Sequence, residues 1–392
     1  MTVGQERKQL LSRPGLAARK TFRARDVDIT FLTFEIEGPA FRAQLLEALA
    51  ECDRVVGLAN VARQTFFLSQ DLDRSQLVPV VEEAYAAPLP ATTFVCQPPA
   101  GGAALSCELW AFSSEATLQR RRHVTTAFTP SATWGFVGGM ETDETEPPAK
   151  SLARMLSEAN QELHRAGLSL SHMVRTWYYI GEILGDGEKD SPYERFNAAR
   201  NELYRTCWPD LVRSPASTGI GMRSRRIAFE GLFLSHGGNG CRLSWIDNPL
   251  QTPPHLYARS TKAACNPSFS RAAAVRFADA ALLFISGTAS IRGSEVIAPD
   301  DPEAQTKITI ENIATLLGKD NLVDGHGLPR GATLEDLLEF RVYLKRPGDL
   351  DVVRVCCQRF LPAVPHTYLV ADVCRPEFLV EIEGVAALAN GA

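Results

Sequence analysis

Two glutamates near the end of the chain have the spacing of a paired-carboxyl site. Glu381 and Glu383 lie in the run VEIEGVA, whose apolar and β-branched residues predict a strand. Because side chains alternate across a strand, both carboxyls point to one face, where two like charges raise the pKa of one of them. A carboxyl group buried there keeps its proton near neutral pH and can act as a general acid toward a weakly basic carbon. The alternative interpretation is that both are solvated residues of an edge strand.

The strand that carries these glutamates belongs to a motif that occurs three times. Each copy begins with Pro-x-Ser or Pro-x-Thr, in the segments LPATTFVCQ (89–97), SPASTGIGM (214–222) and VPHTYLVAD (364–372). A second apolar run follows each segment and contains a glutamate at a shared position, which is Glu108, Glu230 or Glu383. A framework position should recur in every copy, whereas a catalytic residue need appear only once.

Glu381 is the residue that departs from the repeat. Two positions before the shared glutamate, the three copies have Ser106, Ala228 and Glu381. Only the C-terminal copy is therefore acidic at this position. The comparison favours Glu381 as the catalytic carboxyl and Glu383 as part of the framework.

The correspondence between the second and third copies extends upstream. FVGGM (136–140) matches FISGT (284–288), and each is followed by a helical pattern that ends at glycine, a β-rich run and a second helix that ends before proline. This order predicts a β-α-β-α-β-β unit, an α+β layer with both helices on one face of a mixed sheet. The other face of the sheet needs a cover, and another copy of the unit is the evident candidate.

Composition restricts the classes of function. The 392 residues are 45% hydrophobic and carry a net charge of −5, so the chain has no general attraction to nucleic acid or anionic membranes. Any anionic ligand must then be held by a local group of arginines. The basic N-terminus lacks an apolar h-region and no stretch approaches the roughly 18 apolar residues of a membrane span, which predicts a cytoplasmic protein.

Motifs of metal and cofactor enzymes are not found in the sequence. The nine cysteines include no CxxC or CxxH spacing, and no Gly-rich phosphate loop, HExxH or GxSxG element occurs. We therefore expect no metal and no cofactor. The expected partner is a small molecule rather than a nucleic acid or a membrane.

The repeated unit resembles the Rid family (reactive intermediate deaminases), whose α+β subunits form trimers with ligand sites between them. Its closing strands commonly end in a VEIEAIA-type run, which VEIEGVA at 380–386 resembles. A similar architecture in one chain is that of the chorismatase family, and this similarity spans roughly residues 55–388. The resemblance implies repeated Rid-like (chorismate-mutase-like) units that form an intramolecular pseudo-trimer, in a protein with little need to oligomerise and hence a monomer.

The expected organisation has four parts. They are an N-terminal extension (1–54), a degenerate unit (55–125), a central unit (126–240) and a C-terminal unit with the catalytic residues (241–392).

The chorismatase resemblance assigns roles to individual residues. Chorismatases use a glutamate at the position of Glu381 to protonate the enolpyruvyl methylene of chorismate. The subfamily that forms 3-hydroxybenzoate has a glycine in the SGT turn, here Gly287 beside Ser286, and a cysteine seven residues before the acid, here Cys374. Both match, which implies conversion of chorismate to pyruvate and 3-hydroxybenzoate, with 4-hydroxybenzoate as a further possible product. Cys374 is expected to orient a hydroxyl as a weak donor and to keep water out.

The two carboxylates of chorismate call for arginine, whose planar fork binds a carboxylate through two bonds. Arg354 stands opposite Asn201 when the second helices of the two copies are aligned, at a position where the Rid family usually has asparagine. Arg223 and Arg225 in the run GMRSRRIAF are expected on one face of a strand, and Tyr178 is a weaker candidate for lining a cleft.

Three alternative functions stay open at this point. The first is a chorismate hydrolase that yields a dihydroxycyclohexadiene carboxylate. The second is a Rid-type enamine or imine deaminase, which is disfavoured because His366 stands near the position at which those enzymes use a carboxylate-binding arginine. The third is a non-catalytic metabolite-binding protein on the same scaffold, since a fold does not fix a function.

Overall fold

Three mixed sheets, each with two helices on one face, make up the protein in a computed structural model. The structure describes residues 16–38, 40–86, 88–185, 191–235, 241–257 and 265–389. Each sheet and its two helices form a unit with the predicted β-α-β-α-β-β order, which confirms the α+β fold class. None of the helices in these ranges is long and apolar enough to cross a membrane.

The first unit begins well before the predicted boundary. Its elements are β1 (Leu16–Ala24), β2 (Val27–Ile36), α1 (Phe41–Val56), β3 (Val61–Leu68), α2 (Arg74–Tyr85), β4 (Ala91–Val95) and β5 (Leu105–Phe112). The strand order is β1-β2-β5-β3-β4, and β2 pairs with β5 along its length. The described part of the predicted extension 1–54 therefore belongs to this unit, which has both helices and is not degenerate in its backbone. The second and third units have FVGGM and FISGT at the corresponding strand, and the absence of a matching segment in β2 hid the start of the first unit in the sequence.

The second unit begins at Thr117, so the predicted boundary at 125–126 falls inside a strand. Its elements are β6 (Thr117–Arg120), β7 (Val124–Phe128), β8 (Thr133–Glu141), α3 (Pro148–His164), β9 (Met173–Gly181), α4 (Pro192–Tyr204), β10 (Ala216–Met222) and β11 (Ile227–Leu234). The strand order is β6-β7-β8-β11-β9-β10.

The third unit repeats this arrangement and adds a small hairpin. Its elements are β12 (Arg242–Ile246), β13 (Ala272–Arg276), β14 (Ala280–Ala289), β15 (Ile291–Arg292), β16 (Glu295–Val296), α5 (Pro302–Leu317), β17 (Leu337–Leu344), α6 (Leu350–Phe360), β18 (His366–Val370) and β19 (Val380–Ala389). The sheet order is β12-β13-β14-β19-β17-β18, and β15 pairs with β16. Short helical turns lie at Leu58–Asn60, Leu170–His172, Pro254–Leu256, Asp320–Gly325, Leu334–Asp336 and Pro347–Asp349.

Each sheet is covered by its own helices on one face and by the other two sheets on the opposite face. The helices are amphipathic; α3, for example, buries Leu152, Met155, Leu156, Ala159 and Leu163 at three- and four-residue spacing. The opposite faces meet in one central apolar cluster with aromatic residues from all three units. In it the Trp110 ring of the first unit contacts Phe136 and Trp177 of the second and Phe284 of the third. This packing is the predicted intramolecular pseudo-trimer.

Buried ion pairs connect the units in a cycle. The glutamate shared by the repeat pairs with an arginine of another unit: Glu108 with Arg341 at 2.6 Å, Glu230 with Arg63 at 2.9 Å, and Glu383 with Arg175 at 2.6 Å. Removing one partner of such a buried pair typically costs about 3–5 kcal/mol, because the other charge is left uncompensated. The shared glutamates are therefore part of the framework.

Candidate active site

Glu381 lies at a cavity between the second and third units. On β19 it stands between Ala289 of β14 and Tyr343 of β17. The cavity has a volume of about 430 Å³, within the usual range of about 300–1,000 Å³ for small-molecule pockets. Its wall includes Tyr193, Asn197, Arg200, Ser217, Gly219, Tyr257, Phe269, Arg271, Gly287, Ala289, Cys374, Arg375, Phe378 and Glu381. Three of the predicted site residues thus come together here: Glu381, Gly287 and Cys374.

The Glu381 carboxyl has the properties of an acid that keeps its proton. The residue is only 5% exposed, and its carboxyl has no hydrogen-bond partner within the described ranges. Burial raises the pKa of Glu381 to about 8, and the negative charge of Glu383 adds to the shift, while Arg175 and Arg271 act in the opposite direction. The carboxyl is therefore mostly protonated at neutral pH and faces a cavity.

Glu383 has the opposite electrostatic character although it lies only two residues away. Burial by itself favours its neutral form, but Arg175 and Arg341 hold the pKa of Glu383 below its usual value. Its carboxylate also accepts hydrogen bonds from Trp177 Nε1 at 2.9 Å and from the Tyr343 hydroxyl at 3.2 Å. One strand thus presents a neutral acid and an ionised carboxylate side by side.

Gly287 leaves room for the Glu381 carboxyl. A Cβ atom at Gly287 would overlap Glu381 Oε1 and would lie 2.9 Å from Glu381 Cδ and 3.2 Å from Thr218 Oγ1. Glycine is therefore required for close approach at this position. Any larger residue has to displace the acid.

Cys374 contributes a neutral thiol to the cavity. Burial raises the pKa of the Cys374 thiol to about 12, and the charge of Glu381 adds to the shift, while Arg375 and a hydrogen bond with Tyr193 act against it. A thiol with such a pKa is not a thiolate nucleophile at physiological pH. It can act as a weak hydrogen-bond donor.

Arg271 contributes a guanidinium group to the cavity wall. Its guanidinium donates to the Tyr257 hydroxyl at 2.6 Å and to the Thr252 carbonyl at 3.0 Å, whereas Nε has no partner in the described structure. The side chain is buried and its charge acts on Glu381. Arg271 is thus partly free to bind an anion beside the acid.

Two further arginines line the same cavity. Arg200 of α4 donates from Nη2 to Asn197 Oδ1 at 2.8 Å, and its buried Nε has no partner among the described residues. Arg375 donates to the Ser294 carbonyl at 3.0 Å and lies over the Tyr257 ring. With Arg271, these side chains form a cationic group suited to a small molecule with more than one carboxylate.

The arginines predicted from the sequence do not line this cavity. Arg223 and Arg225 are exposed in the turn after β10, where Arg225 pairs with Glu182 at 3.4 Å and Arg223 lines other cavities. They do not lie on a strand as expected, because β10 ends at Met222 and the strand alternation does not extend to them. The Arg354 guanidinium lies over the Tyr368 ring. Its Nη2 would be 3.6 Å from a Cβ atom added to Gly101, so the side chain lies in the cleft between the third and first units.

Two other predicted binding residues are structural. Tyr178 is fully buried among the apolar residues under the helices of the second unit, and its hydroxyl bonds to that of Tyr204 at 3.0 Å. The Ser286 hydroxyl donates to the Ser270 carbonyl at 2.6 Å and accepts from the Ser217 N–H at 2.9 Å. Ser286 therefore joins β14 to β10 behind the cavity wall and does not line it.

The cavity arginines were missed although one of them leaves a signal in the sequence. Arg200 lies on the buried stripe of α4 with Phe196, Asn197, Asn201 and Tyr204, so polar residues interrupt an otherwise apolar face at helical spacing. Arg271 precedes β13 and has no comparable pattern. Within the described ranges, no group of three or more His, Cys, Asp and Glu side chains could hold a metal ion.

Fold and site together define a class of protein: a three-unit α+β scaffold with an arginine-lined cavity between units and a neutral, buried acid at that cavity. A sequence profile described as "Chorismatase FkbO/Hyg5-like, N-terminal" matches residues 108–233. A chorismatase of Streptomyces hygroscopicus is 32% identical over 252 residues, which cover 64% of this chain and 71% of that protein. The chain belongs to the chorismatase family.

One further relative in sequence and one solved structure are similar to this chain. The 3-hydroxybenzoate synthase of Streptomyces hygroscopicus is 37% identical over 221 residues, which cover 55% of this chain and 63% of that protein. The match thus spans less than two thirds of that relative's length. The crystal structure of a chorismatase superposes with a TM-score of 0.70 at 23% identity, covering 93% of this chain and 100% of the other. At that identity the superposition shows a shared fold.

Proposed function

We propose that this protein converts chorismate to pyruvate and 3-hydroxybenzoate, with Glu381 as the general acid. The observation that carries the proposal is the Glu381 carboxyl itself, which is buried and unpaired within the described structure, faces the cavity and has a pKa raised to about 8. The names of the two Streptomyces hygroscopicus relatives support chorismate as the substrate and 3-hydroxybenzoate as a product.

The first step is a proton transfer to carbon. The Glu381 carboxyl donates its proton to the terminal methylene of the enolpyruvyl group, and the electron pair of the C=C bond forms the new C–H bond. The product of this step is an oxocarbenium ion beside the Glu381 carboxylate. Arg175 and Arg271, whose charges favour the ionised form of Glu381, stabilise that carboxylate as it forms.

Substrate binding is assigned to the cavity arginines. The guanidinium groups of Arg271, Arg200 and Arg375, three residues that line the cavity, provide donors for the two carboxylates of chorismate. Their fixed positions would hold the enol ether against Glu381. Such positioning is a large part of the rate enhancement in general, because it replaces a bimolecular encounter.

The fate of the oxocarbenium ion decides the product. Pyruvate and 3-hydroxybenzoate together contain all the atoms of chorismate, so this branch needs no net addition of water, whereas the hydrolytic branch adds one water molecule. Gly287 and Cys374, which match the 3-hydroxybenzoate subfamily, both line the cavity. The Cys374 thiol, neutral because of its raised pKa, is positioned to orient a substrate hydroxyl and exclude water.

The test is incubation of the purified protein with chorismate, with pyruvate measured by reduction to lactate and aromatic products by chromatography. We expect pyruvate and 3-hydroxybenzoate in equal amounts, and at least a 10³-fold slower release by Glu381→Gln. Glu141→Gln is the control. In the second unit Glu141 lies opposite Ala228 on the neighbouring strand, and the corresponding residues of the third unit are Ala289 and Glu381. Glu141 lines a different cleft, so its loss should leave pyruvate release unchanged.

Other results would redirect the assignment. A dihydroxycyclohexadiene carboxylate would indicate the hydrolytic branch. Hydrolysis of an enamine without any pyruvate from chorismate would indicate a Rid-type deaminase, and tight binding of chorismate without turnover would indicate a binding protein. Full activity of Glu381→Gln would remove this residue from the mechanism.

We also propose a cytoplasmic monomer. Free thiols are found at Cys52, Cys96, Cys107, Cys207, Cys241, Cys356, Cys357 and Cys374, which suits a reducing compartment. The three units of one chain already provide the surfaces that separate subunits provide in a trimer.

A further inference from the structure

The Thr218 hydroxyl lies at the centre of a hydrogen-bond network behind Glu381. It accepts from the Gly287 N–H at 2.9 Å and from Arg175 Nη2 at 2.6 Å, and it donates to Glu383 Oε2. The residue is fully buried on β10. A hydroxyl has one proton and two lone pairs, so every hydrogen-bonding site of Thr218 is in use.

Both donors that Thr218 binds are close to the Glu381 carboxyl. Gly287 approaches it so closely that a Cβ atom would overlap Oε1, and the charge of Arg175 acts on it. Neither donor is hydrogen-bonded to Glu381. The Gly287 N–H donates to the Thr218 hydroxyl, and Arg175 Nη2 donates to the Thr218 hydroxyl and to Glu383. Donors to a carboxylate favour its ionised form, so the direction in which these two groups point controls the acidity of Glu381.

We propose that Thr218 is a positioning residue that holds the Gly287 N–H and the Arg175 guanidinium away from Glu381, and thereby keeps Glu381 in its proton-donating form. The inference rests on the proposed role of Glu381 as the acid. Thr218 does not line the cavity, so it acts through its neighbours and not through the substrate.

The charged and titratable groups around Glu381 come from several elements. Glu383 lies on the same strand, Arg175 comes from β9, Arg271 precedes β13, Cys374 precedes β19, and Tyr193 lies on α4. Glu383 favours the protonated form of Glu381 and the two arginines oppose it. Thr218 joins Arg175 to Glu383 and so keeps this arginine engaged with Glu383.

The pseudo-symmetry of the chain provides a matched position without an acid. In the cleft between the first and second units, Thr93 Oγ1 accepts from the Gly139 N–H at 2.9 Å, as Thr218 does from Gly287. The residue at the position of Glu381 in that repeat is Ala228. The hydrogen bond from the glycine N–H to the threonine hydroxyl is thus part of the framework, whereas its effect on a neighbouring acid is confined to Thr218.

The experiment measures pyruvate release from saturating chorismate between pH 5 and 10. The wild-type rate should fall as the pH rises through the pKa of Glu381, because only the protonated acid is active. In Thr218→Val the midpoint of this fall should move down by about one pH unit or more, the size expected when a carboxylate gains a hydrogen bond. Thr218→Ser should restore the wild-type midpoint, and Thr93→Val should retain it.

A direct titration separates the inference from the proposed function. In protein labelled with ¹³C at the glutamate carboxyls, the Glu381 signal, assigned by its loss in Glu381→Gln, should titrate at lower pH in Thr218→Val. If the wild type releases no pyruvate, the proposed function fails and this titration still decides the role of Thr218. An unchanged midpoint in folded Thr218→Val, or an equal shift in Thr93→Val, overturns the inference. Thr218→Ala takes the place of a valine variant that does not fold.

Discussion

Replacing Glu381 with glutamine is expected to stop catalysis and to stabilise the protein at the same time. Burial raises the pKa of Glu381 from 4.5 to about 8, so between these pH values the folded protein holds a proton that the unfolded chain has released. The stability associated with the neutral acid is therefore fully present below the unfolded pKa and is lost as the pH rises through the folded pKa.

The magnitude follows from the size of this shift. Each pH unit above the unfolded pKa costs about 1.4 kcal/mol until the folded pKa is reached, which amounts to about 3 kcal/mol at pH 7 and about 5 kcal/mol above pH 8. Glutamine has nearly the same size and carries no charge, so it avoids this loss. We expect Glu381→Gln to be more stable than the wild type by about these amounts, with little difference near pH 4.5.

Urea unfolding followed by tryptophan fluorescence at pH 5, 7 and 8.5 measures the effect. Glu383→Gln is the matched control on the same strand, because Arg175 and Arg341 hold the pKa of Glu383 low. Its carboxylate stabilises the fold above the unfolded pKa, and that contribution is lost as the pH falls through the folded pKa. Glu383→Gln should therefore be less stable at pH 7 by about 3–5 kcal/mol.

The two substitutions are thus expected to change stability in opposite directions. A Glu381→Gln protein that is equally or less stable than the wild type at pH 7 and 8.5 would refute the reasoning. A stability difference that does not depend on pH would also refute it, since it could not come from the titration of this carboxyl.

Three substitutions test the cavity wall. Arg271→Gln removes a fork beside the acid and should raise KM for chorismate by about tenfold or more with a smaller change in kcat; an unchanged KM would place the carboxylates elsewhere. Gly287→Ala forces the Glu381 carboxyl to move and should lower kcat by about 10²-fold, the usual cost of a displacement near 1 Å; steady-state rates within twofold of the wild type would contradict this. Cys374→Ala should change the ratio of aromatic products more than the rate of pyruvate release, and an unaltered chromatogram would exclude its role in branching.

Much of the fold could be predicted because the relevant signals are local and repeated. The order β-α-β-α-β-β followed from periodicities within short segments, and repetition separated the shared glutamates from Glu381. The start of the first unit was missed because β1, β2 and α1 lack the short motif that marks the other copies. Strand pairing between β2 and β5, which joins them to the sheet, links residues that are 69 (Ile36 and Leu105) to 83 (Ile29 and Phe112) positions apart and leaves no local pattern.

The binding residues were harder to predict because contacts between units are set by tertiary packing. Arg354 departs from its repeat as a functional residue should, yet α6 faces the first unit and not the Glu381 cavity. Arg200 and Arg271 come from α4 and from the segment before β13, and only the packing of the second unit on the third brings them to one cavity.

The sequence by itself determined the repeated unit, its helices and strands, and the one acidic position that the repeat does not share, because these depend on residue order within short segments. Tertiary structure alone decided which cleft holds the acid, which arginines face it and whether it is protonated. The physical reason is that a pKa depends on burial and on charges near in space, and the groups that set the pKa of Glu381 lie on strands and loops from two different units.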